Sequence, residues 1–377
     1  MKIVIAVNAF KGSLSCIEAT SAISRGIKKA FPSSKVISCP VADGGDGLLD
    51  VVKSLPSVKT VKCKVLDPRN KKINSEFCWL ENEKTAFIEM ALASGLALLP
   101  EKLRNPMETT TYGTGQLIGE ALKLNPRKII LGIGGSATCD GGIGAASALG
   151  VNFSDKAGKT IKIPTGGDLR LIDSIDLSGI NKRMRNTIIE IICDVENPLL
   201  GPKGSAAVYA PQKGASPAQV KELEKGLAIF ADKVRKYTKK DIRKMKGGGA
   251  AGGISAGMNA LFGAELKRGI DVVFNLVGLE DKIRHADLVI TGEGKIDSQT
   301  AYGKAPAGVA KLAKKHGAPC IALCGCAGRN LTGLKEIGIE SVFPINKEAK
   351  DIEDSMKNAA KYLEITAGKA MRKFGLR

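Results

Sequence analysis

Charged side chains lie inside glycine-rich turns at four places in this 377-residue sequence. Each turn follows a short apolar run that predicts a buried β-strand, and these runs end at Val7, Cys39, Leu131 and Ile290. Glycine turns let successive backbone N–H groups point at an anion, and a following helix N-terminus adds partial positive charge. The charged residues of the four turns are Lys11, Asp43, Asp46, Asp140, Glu293, Lys295, Asp297 and Lys304. Glycine turns occur in every α/β fold and do not by themselves indicate a binding site. Carboxylates and lysines beside the glycines, however, favour a site for phosphate and metal ions.

The densest of these segments runs from Asp287 to Ala310 and reads DLVITGEGKIDSQTAYGKAPAGVA. A strand is predicted over Leu288–Thr291, then a charged turn that includes Gly292, Glu293 and Gly294, then a helix over Ala305–Lys315. Ligands of open α/β sheets bind at the carboxyl ends of the strands, where such turns collect. We therefore expect this segment to form one wall of a binding site.

Several common site types do not fit the sequence. The P-loop pattern G-x-x-x-x-G-K-[ST] does not occur. The spacing of Cys320, Cys324 and Cys326 matches no zinc signature, and His285 and His316 suit structural roles, which argues against a His-dependent triad. Acid–base chemistry therefore falls to carboxylates, which also serve as the base in kinases.

A dinucleotide site stays open at one position. Gly132-x-Gly134-x-x-Ala137 follows a predicted strand, and Asp155 lies about twenty residues further on, as the fingerprint requires. However, the loop continues through Gly142, where the fingerprint would already be helical.

The order of predicted elements indicates two domains. The first fifty residues read as a βαβα unit, with Ser13 as the N-cap of its first helix, and strand–helix alternation returns from about Ile270 and ends in a helix over 351–374. Between them, strands over 59–66, 72–80 and 85–90 are joined by short turns, as antiparallel neighbours are. We predict an α/β fold in which residues 1–70 and 270–377 form one parallel-sheet domain and residues 71–269 form an inserted α/β domain.

Composition limits the partners and the location. The formal net charge is +19, but the sequence has few aromatics, and its one basic cluster, Asp232–Lys246, spreads its charges around a helical wheel. We therefore expect anionic small-molecule substrates and no nucleic-acid partner. No apolar run reaches the roughly 18 residues of a membrane span, so no membrane partner is expected. Nine cysteines without framework spacing predict free thiols in a cytoplasmic protein.

Six long motifs resemble the bacterial glycerate kinase family, in order and over essentially the whole chain. They are FKGSLS (Phe10–Ser15), ADGGDG (Ala42–Gly47), GIGGSATCDGG (Gly132–Gly142), DVENPLLG (Asp194–Gly201), PQKGA (Pro211–Ala215) and TGEGKIDSQTAYGKAPAGVA (Thr291–Ala310). The resemblance implies ATP-dependent phosphorylation of D-glycerate with Mg²⁺, giving 2-phosphoglycerate, and it leaves a homodimer open. It also implies that the domain built from both chain ends is Rossmann-like and that the active site lies in the cleft between this domain and the inserted one.

Mapped onto this chain, the resemblance and the turn chemistry give a set of candidate site residues. The Gly134–Gly135–Ser136 and Gly292–Gly294 turns are expected to hold nucleotide phosphates, with Lys11 and Lys304 supplying positive charge. Asp297 is the main catalytic candidate; with Glu293, Asp194 or Asp43 it would bind Mg²⁺ or accept the substrate proton, and Glu293 and Asp297 are the predicted metal ligands. Arg104 or Lys213 would receive the glycerate carboxylate. The remaining predicted binding residues are Asn8, Ser13, Gly44, Gly45, Asp46 and Asp140.

The chain departs from the family pattern at its first loop. Relatives usually read like PDSFKGSL, so Asn8 replaces an acid and Ala9 replaces a hydroxyl; Cys139 also stands where Asn is usual. From sequence alone, Asn8→Asp should leave folding unchanged and raise activity. Two other functions stay open: an NAD(P)-dependent hydroxy-acid oxidoreductase that uses the Gly132 loop, and a nucleotide- or sugar-acid-binding homologue that has lost activity.

Overall fold

The computed structural model describes residues 1–45, 47–301 and 304–374. The strands in these ranges are β1 (Lys2–Val7), β2 (Lys35–Ser38), β3 (Val58–Leu66), β4 (Lys72–Leu80), β5 (Thr85–Glu89), β6 (Lys128–Gly132), β7 (Asn152–Ser154), β8 (Ser174–Asp176), β9 (Ile188–Ile192), β10 (Glu265–Lys267), β11 (Leu288–Ile296), β12 (Cys320–Ala327) and β13 (Ile339–Pro344). The α-helices are α1 (Cys16–Ala30), α2 (Leu48–Lys53), α3 (Ala91–Ser94), α4 (Tyr112–Leu122), α5 (Ile143–Ala148), α6 (Ser205–Tyr209), α7 (Pro217–Thr238), α8 (Ile254–Phe262), α9 (Gly269–Leu276), α10 (Leu279–Ile283), α11 (Ala305–Lys315), α12 (Ile352–Lys357) and α13 (Ala359–Phe374).

The chain forms two compact units. Unit 1 comprises Met1–Leu55 and Gly269–Arg377, and unit 2 comprises Pro56–Arg268. The first boundary lies before β3 and not after residue 70, because β3 pairs along its whole length with β4 and so belongs to unit 2.

Unit 1 is built on a five-stranded parallel sheet in the order β13-β12-β11-β1-β2. Ile3, Ile5 and Ile290 are fully buried and form one core with apolar residues of α1 and α13. Val4 and Val289 alternate with them along the strands and are equally buried. Both faces of the sheet are therefore covered, which explains the continuous apolar runs in the sequence. The predicted α/β class with parallel-strand sheets is confirmed.

The chain reverses its direction of travel across this sheet between β1 and β11. From β1 the chain passes through α1 to β2 on one side, whereas β11 leads through α11 to β12 and then β13 on the other. At such a reversal the connections leave on opposite sides of the sheet and open a crevice at the carboxyl ends of the two strands. The residues after Val7 and those around Gly292 lie at this position, because Val7 and Gly292 are register partners.

Strand β11 is longer than the sequence predicted, and this corrects the expected charged turn. Its pairing with β1 ends at Gly292, but its pairing with β12 continues to Ile296, which is partnered by Ala327. Glycine is required at position 292, because a methyl group there would lie 2.0 Å from the Leu323 carbonyl oxygen. Gly292–Gly294 is therefore extended backbone, and the compact phosphate-binding turn expected there is absent from the described residues.

Two helix boundaries also differ from the prediction. The N-cap of α1 is Ser15 and not Ser13: its side chain accepts from the Glu18 backbone N–H, and the Glu18 carboxylate accepts from the Ser15 N–H in a capping box. The predicted helix over 351–374 is divided into α12 and α13 at Asn358, whose side chain donates to Asp354. An N-cap such as Ser15 typically contributes about 1 kcal/mol to stability.

Unit 2 contains a six-stranded mixed sheet in the order β10-β9-β6-β5-β4-β3. The antiparallel pairing predicted for its first three strands is present, and β5, β6, β9 and β10 are parallel. Its core includes Phe77, Ile88 and Leu131, all fully buried. The carboxyl ends of β5, β6 and β9 lie at the same edge of the sheet, and the Gly132–Gly142 loop leaves from the middle one.

A search of the described helices finds none with the length and apolar character needed to cross a membrane. All nine cysteines are free thiols.

Candidate active site

A hydrogen-bonded network joins the carboxyl ends of β1 and β2 to the start of α11 in unit 1. Asn8 is buried, and its Nδ2 donates to Asp43 Oδ2 over 2.8 Å. Asp43 Oδ1 accepts from the Ala305 backbone N–H, the first of helix α11, over 2.7 Å. A carboxylate is favourable there because the helix N-terminus carries partial positive charge. Both Asp43 oxygens thus have protein partners, and this carboxylate holds the first loop and the start of α11 together.

Glu293 lies in β11 directly after the point where β1 ends. Its Oε1 accepts from the Thr300 hydroxyl over 2.9 Å, and Oε2 lies 3.7 Å from Lys304 Nζ. Burial raises the pKa of the Glu293 carboxyl above its ordinary value, and the Asp43 and Asp297 charges raise it further, while Lys304 and Thr300 act in the opposite direction. The favourable charge of the lysine therefore does not offset the effect of burial on this carboxyl.

Asp297 is more accessible than Glu293: 21% of its side chain is exposed, compared with 11% for Glu293. Its Oδ2 lies 3.2 Å from Lys295 Nζ, and its backbone N–H donates to the same Thr300 hydroxyl that binds Glu293. Thr300 thus holds both acidic residues in place. Thr300 was not among the predicted site residues, although it stands in the DSQT stretch of the last motif.

The first loop packs against Gly294 of β11. A methyl group at Gly294 would lie 3.3 Å from the backbone nitrogen of Lys11, so glycine permits the close approach. The Lys11 residue is exposed beside the carboxylate cluster, as a lysine that binds an anion must be. Ser13 instead closes the loop, with its hydroxyl and its N–H both donating to the Phe10 carbonyl, so its role is structural.

The second glycine turn follows β2. Gly44 adopts a left-handed conformation with φ of 88° and is buried, whereas Gly45 is half-buried. Asp46, also a predicted binding residue, lies outside the described residues.

In unit 2 the loop after β6 places Gly134, Gly135 and Ser136 at the carboxyl edge of the sheet. Gly135 is exposed and left-handed, with φ of 66°, and its carbonyl accepts from the Leu96 N–H. Ser136 is mostly buried, and its Oγ accepts a 2.7 Å hydrogen bond from Lys213 Nζ. The same ammonium donates to the Thr138 carbonyl over 2.6 Å. Lys213 is only 2% exposed, so it supports this loop from inside. It therefore does not present its charge to a ligand, although it was predicted as a candidate to receive the glycerate carboxylate.

Asp140 is a structural residue, which corrects its place among the predicted ligand contacts. Its carboxylate is fully buried and accepts from the Thr111 N–H and hydroxyl and from the N–H groups of Gly142 and Gly144. Burial raises the pKa of this carboxyl, while these hydrogen bonds oppose the shift. The network fixes the end of the Gly132–Gly142 loop and the first turn of α5.

The two remaining predicted residues lie in different parts of unit 2. Arg104 is half-buried, and its carbonyl lies so close to Gly214, next to Lys213, that a methyl group there would be 2.1 Å from it. Asp194 is exposed and follows β9, in a loop held by a hydrogen bond from the Tyr209 hydroxyl to Asn197 Oδ1. Neither Asn197 nor Tyr209 was among the predicted site residues. Asn197 stands in the DVENP stretch of the fourth motif, and this stretch was the only sequence feature that pointed to it.

The loop geometry disfavours a dinucleotide site. After β6 the chain stays irregular until α5 begins at Ile143, so no helix starts directly behind the glycine pattern. Asp155, the expected ribose ligand, instead accepts from the N–H groups of Ala157 and Lys159 in a tight turn.

Comparison with known proteins shows the family to which the chain belongs. The model of the glycerate kinase family matches residues 3–375. A glycerate kinase of Bacillus subtilis (strain 168) is 45% identical over 367 residues, 97% of this chain and 96% of the relative. A glycerate 2-kinase of Escherichia coli (strain K12) is 42% identical over 95% of this chain and 94% of the relative. A solved structure from Salmonella typhimurium LT2, assigned as a glycerate kinase 2, superposes with a TM-score of 0.88 at 39% identity, covering 100% of this chain and 98% of that one.

Glycine-rich loops and charged side chains lie at the carboxyl ends of the parallel strands of this α/β fold. The chain belongs to the glycerate kinase family and is an enzyme of that class.

Proposed function

We propose that this enzyme transfers the terminal phosphoryl group of ATP to a hydroxyl of D-glycerate, giving 2-phosphoglycerate, with Mg²⁺ as the metal ion. The observation that carries the proposal is the carboxylate cluster of Glu293 and Asp297 at the β1–β11 reversal, with Lys304 beside it. Family membership supports the kinase reaction, and the E. coli relative's name, glycerate 2-kinase, supports the position of transfer.

The cluster has the properties that a magnesium site requires. Mg²⁺ prefers carboxylate oxygens and is usually held by one or two of them together with substrate phosphates. Among the described residues no three acidic, histidine or cysteine side chains gather as a preformed metal site. A two-carboxylate site built from Glu293 and Asp297 is compatible with both facts. Burial raises the pKa of the Glu293 carboxyl, and the Asp43 and Asp297 charges raise it further, so a bound cation would stabilise its ionised form. When bound, Mg²⁺ would neutralise charge on the phosphate oxygens.

The side chains of unit 1 supply charge and proton transfer in this proposal. Phosphoryl transfer depends mainly on positioning and charge stabilisation. Lys11 and Lys304 are the cations that would contact phosphate oxygens. Asp297, as the accessible carboxylate, is assigned to accept the proton of the glycerate hydroxyl; Asp194 is the alternative in unit 2.

The glycine loop of unit 2 is proposed to bind phosphate through its backbone. Gly134 and Gly135 present N–H groups next to the exposed, left-handed turn. Arg104 remains the candidate for the glycerate carboxylate, because a guanidinium can bind a carboxylate through two hydrogen bonds. We also propose a cytoplasmic location, since a reducing compartment keeps nine thiols free.

A glycerate-dependent assay tests the proposal. ADP release is measured with ATP, Mg²⁺ and D-glycerate, and NAD(P)H absorbance is followed in parallel with the same acid. ADP release that requires both glycerate and Mg²⁺ supports the kinase, and ³¹P NMR of the product then identifies the phosphorylated hydroxyl. Change in NAD(P)H alone would point to an oxidoreductase, and silence in both assays would leave only a binding function.

A further inference from the structure

The Lys213 ammonium is an internal support of the glycine loop in unit 2. Its Nζ lies 2.7 Å from Ser136 Oγ and 2.6 Å from the Thr138 carbonyl oxygen, and the residue is only 2% exposed. These two bonds span the loop on either side of Ala137. They hold one hydroxyl and one carbonyl of the loop at fixed positions.

The direction of the first hydrogen bond determines what Ser136 can do. A charged lysine has three donors and no acceptor, so Ser136 Oγ accepts, and its own hydrogen must point away from Lys213. Within the part of the chain that the structure describes, Ser136 Oγ makes no hydrogen bond besides the one from Lys213, so its own hydrogen has no partner there. Ser136 directly follows the exposed Gly135, and 8% of the serine residue is itself exposed.

Accepting from a cation also changes the strength of the hydroxyl as a donor. Chains of hydrogen bonds polarise one another, and the effect is larger where the dielectric constant is low. An ammonium behind Ser136 Oγ therefore draws electron density from the oxygen and makes the outward O–H a better donor to an anion. Asp140 and Cys139 lie near the same ammonium, and burial lowers the Lys213 pKa to about 8, so the charged form still prevails at neutral pH.

We propose that the Ser136 hydroxyl donates a hydrogen bond to an anionic oxygen of a substrate, and that Lys213 is the positioning residue that orients and polarises this hydroxyl. The inference rests on the proposed kinase function and assigns a ligand-contacting group within it. The anionic oxygen belongs either to an ATP phosphate or to the glycerate carboxylate. Lys213 itself contacts neither substrate.

A double-mutant cycle tests the proposal with the full-length enzyme. Ser136→Ala, Lys213→Met and the double variant are compared with wild type for kcat and for KM of ATP and of D-glycerate. Lys233→Met is the matched control, because Lys233 lies in the same unit and pairs with Asp173 on the surface. Circular dichroism and thermal unfolding establish that each variant is folded.

The expected result is a rise in the KM of one substrate by about 10-fold or more in Ser136→Ala, the scale of a hydrogen bond to a charged group. A rise for ATP assigns the contact to a phosphate, and a rise for glycerate assigns it to the carboxylate. Lys213→Met should raise the same KM, and it should add less than about 2-fold in the Ser136→Ala background, because it acts through the missing hydroxyl. The control variant should behave as wild type.

Three results would overturn the proposal. Additive effects of the two substitutions would mean that Lys213 has a separate structural role. Unchanged KM values in Ser136→Ala would exclude the contact, and this result is decisive even if Lys213→Met does not fold. Absence of glycerate-dependent ADP release in the wild type would overturn the proposed function itself, and with it this inference.

Discussion

The side-chain amide of Asn8 donates a 2.8 Å hydrogen bond to the Asp43 carboxylate. The other Asp43 oxygen binds the first N–H of α11, at Ala305, over 2.7 Å. One carboxylate therefore ties together the ends of two strands and the start of a helix. An ionised aspartate at position 8 could not make this bond, because a carboxylate only accepts. The amide at position 8 is thus matched to the charge at position 43.

Asn8→Asp should lower the thermal stability of the enzyme. The substitution places two carboxylate oxygens at hydrogen-bond distance in a buried position, where like charges repel and one carboxyl must take up a proton or a cation. The melting temperature, measured at neutral pH without divalent cations, should fall by several degrees, as about 1–2 kcal/mol of destabilisation does. This differs from the sequence-based expectation that folding would be unchanged.

The exchanged pair Asn8→Asp/Asp43→Asn is the control for this substitution. It restores an amide–carboxylate hydrogen bond between the two positions, and it keeps an oxygen at position 43 to accept from Ala305. The exchanged pair should recover most of the lost stability. A melting temperature for Asn8→Asp equal to that of wild type would contradict the role given to this bond.

Asp297→Asn should abolish most activity without unfolding the protein. Loss of a general base typically lowers kcat by about 10²-fold or more. The control is Asp281→Asn, which removes a carboxylate that is 87% exposed on α10 of the same unit and should leave kcat unchanged. The kcat of each variant is measured by steady-state ADP release. Near-normal turnover of Asp297→Asn would contradict its role as the general base and would leave Asp194 as the candidate.

Glu293→Gln should stabilise the apoenzyme while it impairs catalysis. Because the folded state raises the pKa of this carboxyl above its ordinary value of 4.5, the folded chain binds the proton more tightly than the unfolded chain. The stability of wild type relative to Glu293→Gln should therefore increase as the pH falls towards that value. At neutral pH the variant should melt at a higher temperature, and Mg²⁺ should raise the melting temperature of wild type only. An identical Mg²⁺ response in both proteins would remove Glu293 from the metal site.

Lys213→Met should alter the pH dependence of stability in the alkaline range. The pKa of Lys213 is lowered from 10.5 to about 8 by burial, so between these values the unfolded chain holds a proton that the folded chain has released. The free energy of unfolding of wild type should therefore rise with pH across this window relative to Lys213→Met. Urea denaturation at several pH values measures the difference, with Lys233→Met as control. Parallel stability curves for wild type and Lys213→Met would show that the lysine is not shielded from water.

Much of the fold could be read from the sequence because its apolar runs are short and bounded by glycine. Continuous runs such as that of β1 indicate strands buried on both faces. Strand β1 ends at Val7 and helix α11 spans Ala305–Lys315, as predicted. The extent of β11 could not be predicted. Glycine and charge after Ile290 read as a turn, but pairing with β12 compensates for their poor strand propensity.

The candidate site was predictable as a set of turns but not as a set of roles. Carboxylates at Asp43, Asp140 and Asp297 look alike in sequence, yet the first holds a helix, the second supports a loop from inside, and the third remains accessible. Likewise, nothing in the local sequence around Lys213 indicates that this residue is buried. These roles depend on which partners long-range folding brings together, and local patterns do not contain that information.

Because Glu293 lies in strand β11, its position is fixed by the sheet. Glu293 is in register with Cys324, so its position is set by the ladder between β11 and β12 and not by a loop that can flex. A single inserted or deleted residue before it would turn its side chain to the opposite face, because strand faces alternate with every residue. An insertion or deletion between Leu288 and Glu293 should therefore displace the carboxylate from the site. Engineering of this enzyme for other hydroxy acids has to proceed by substitution in this segment and by loop exchange elsewhere.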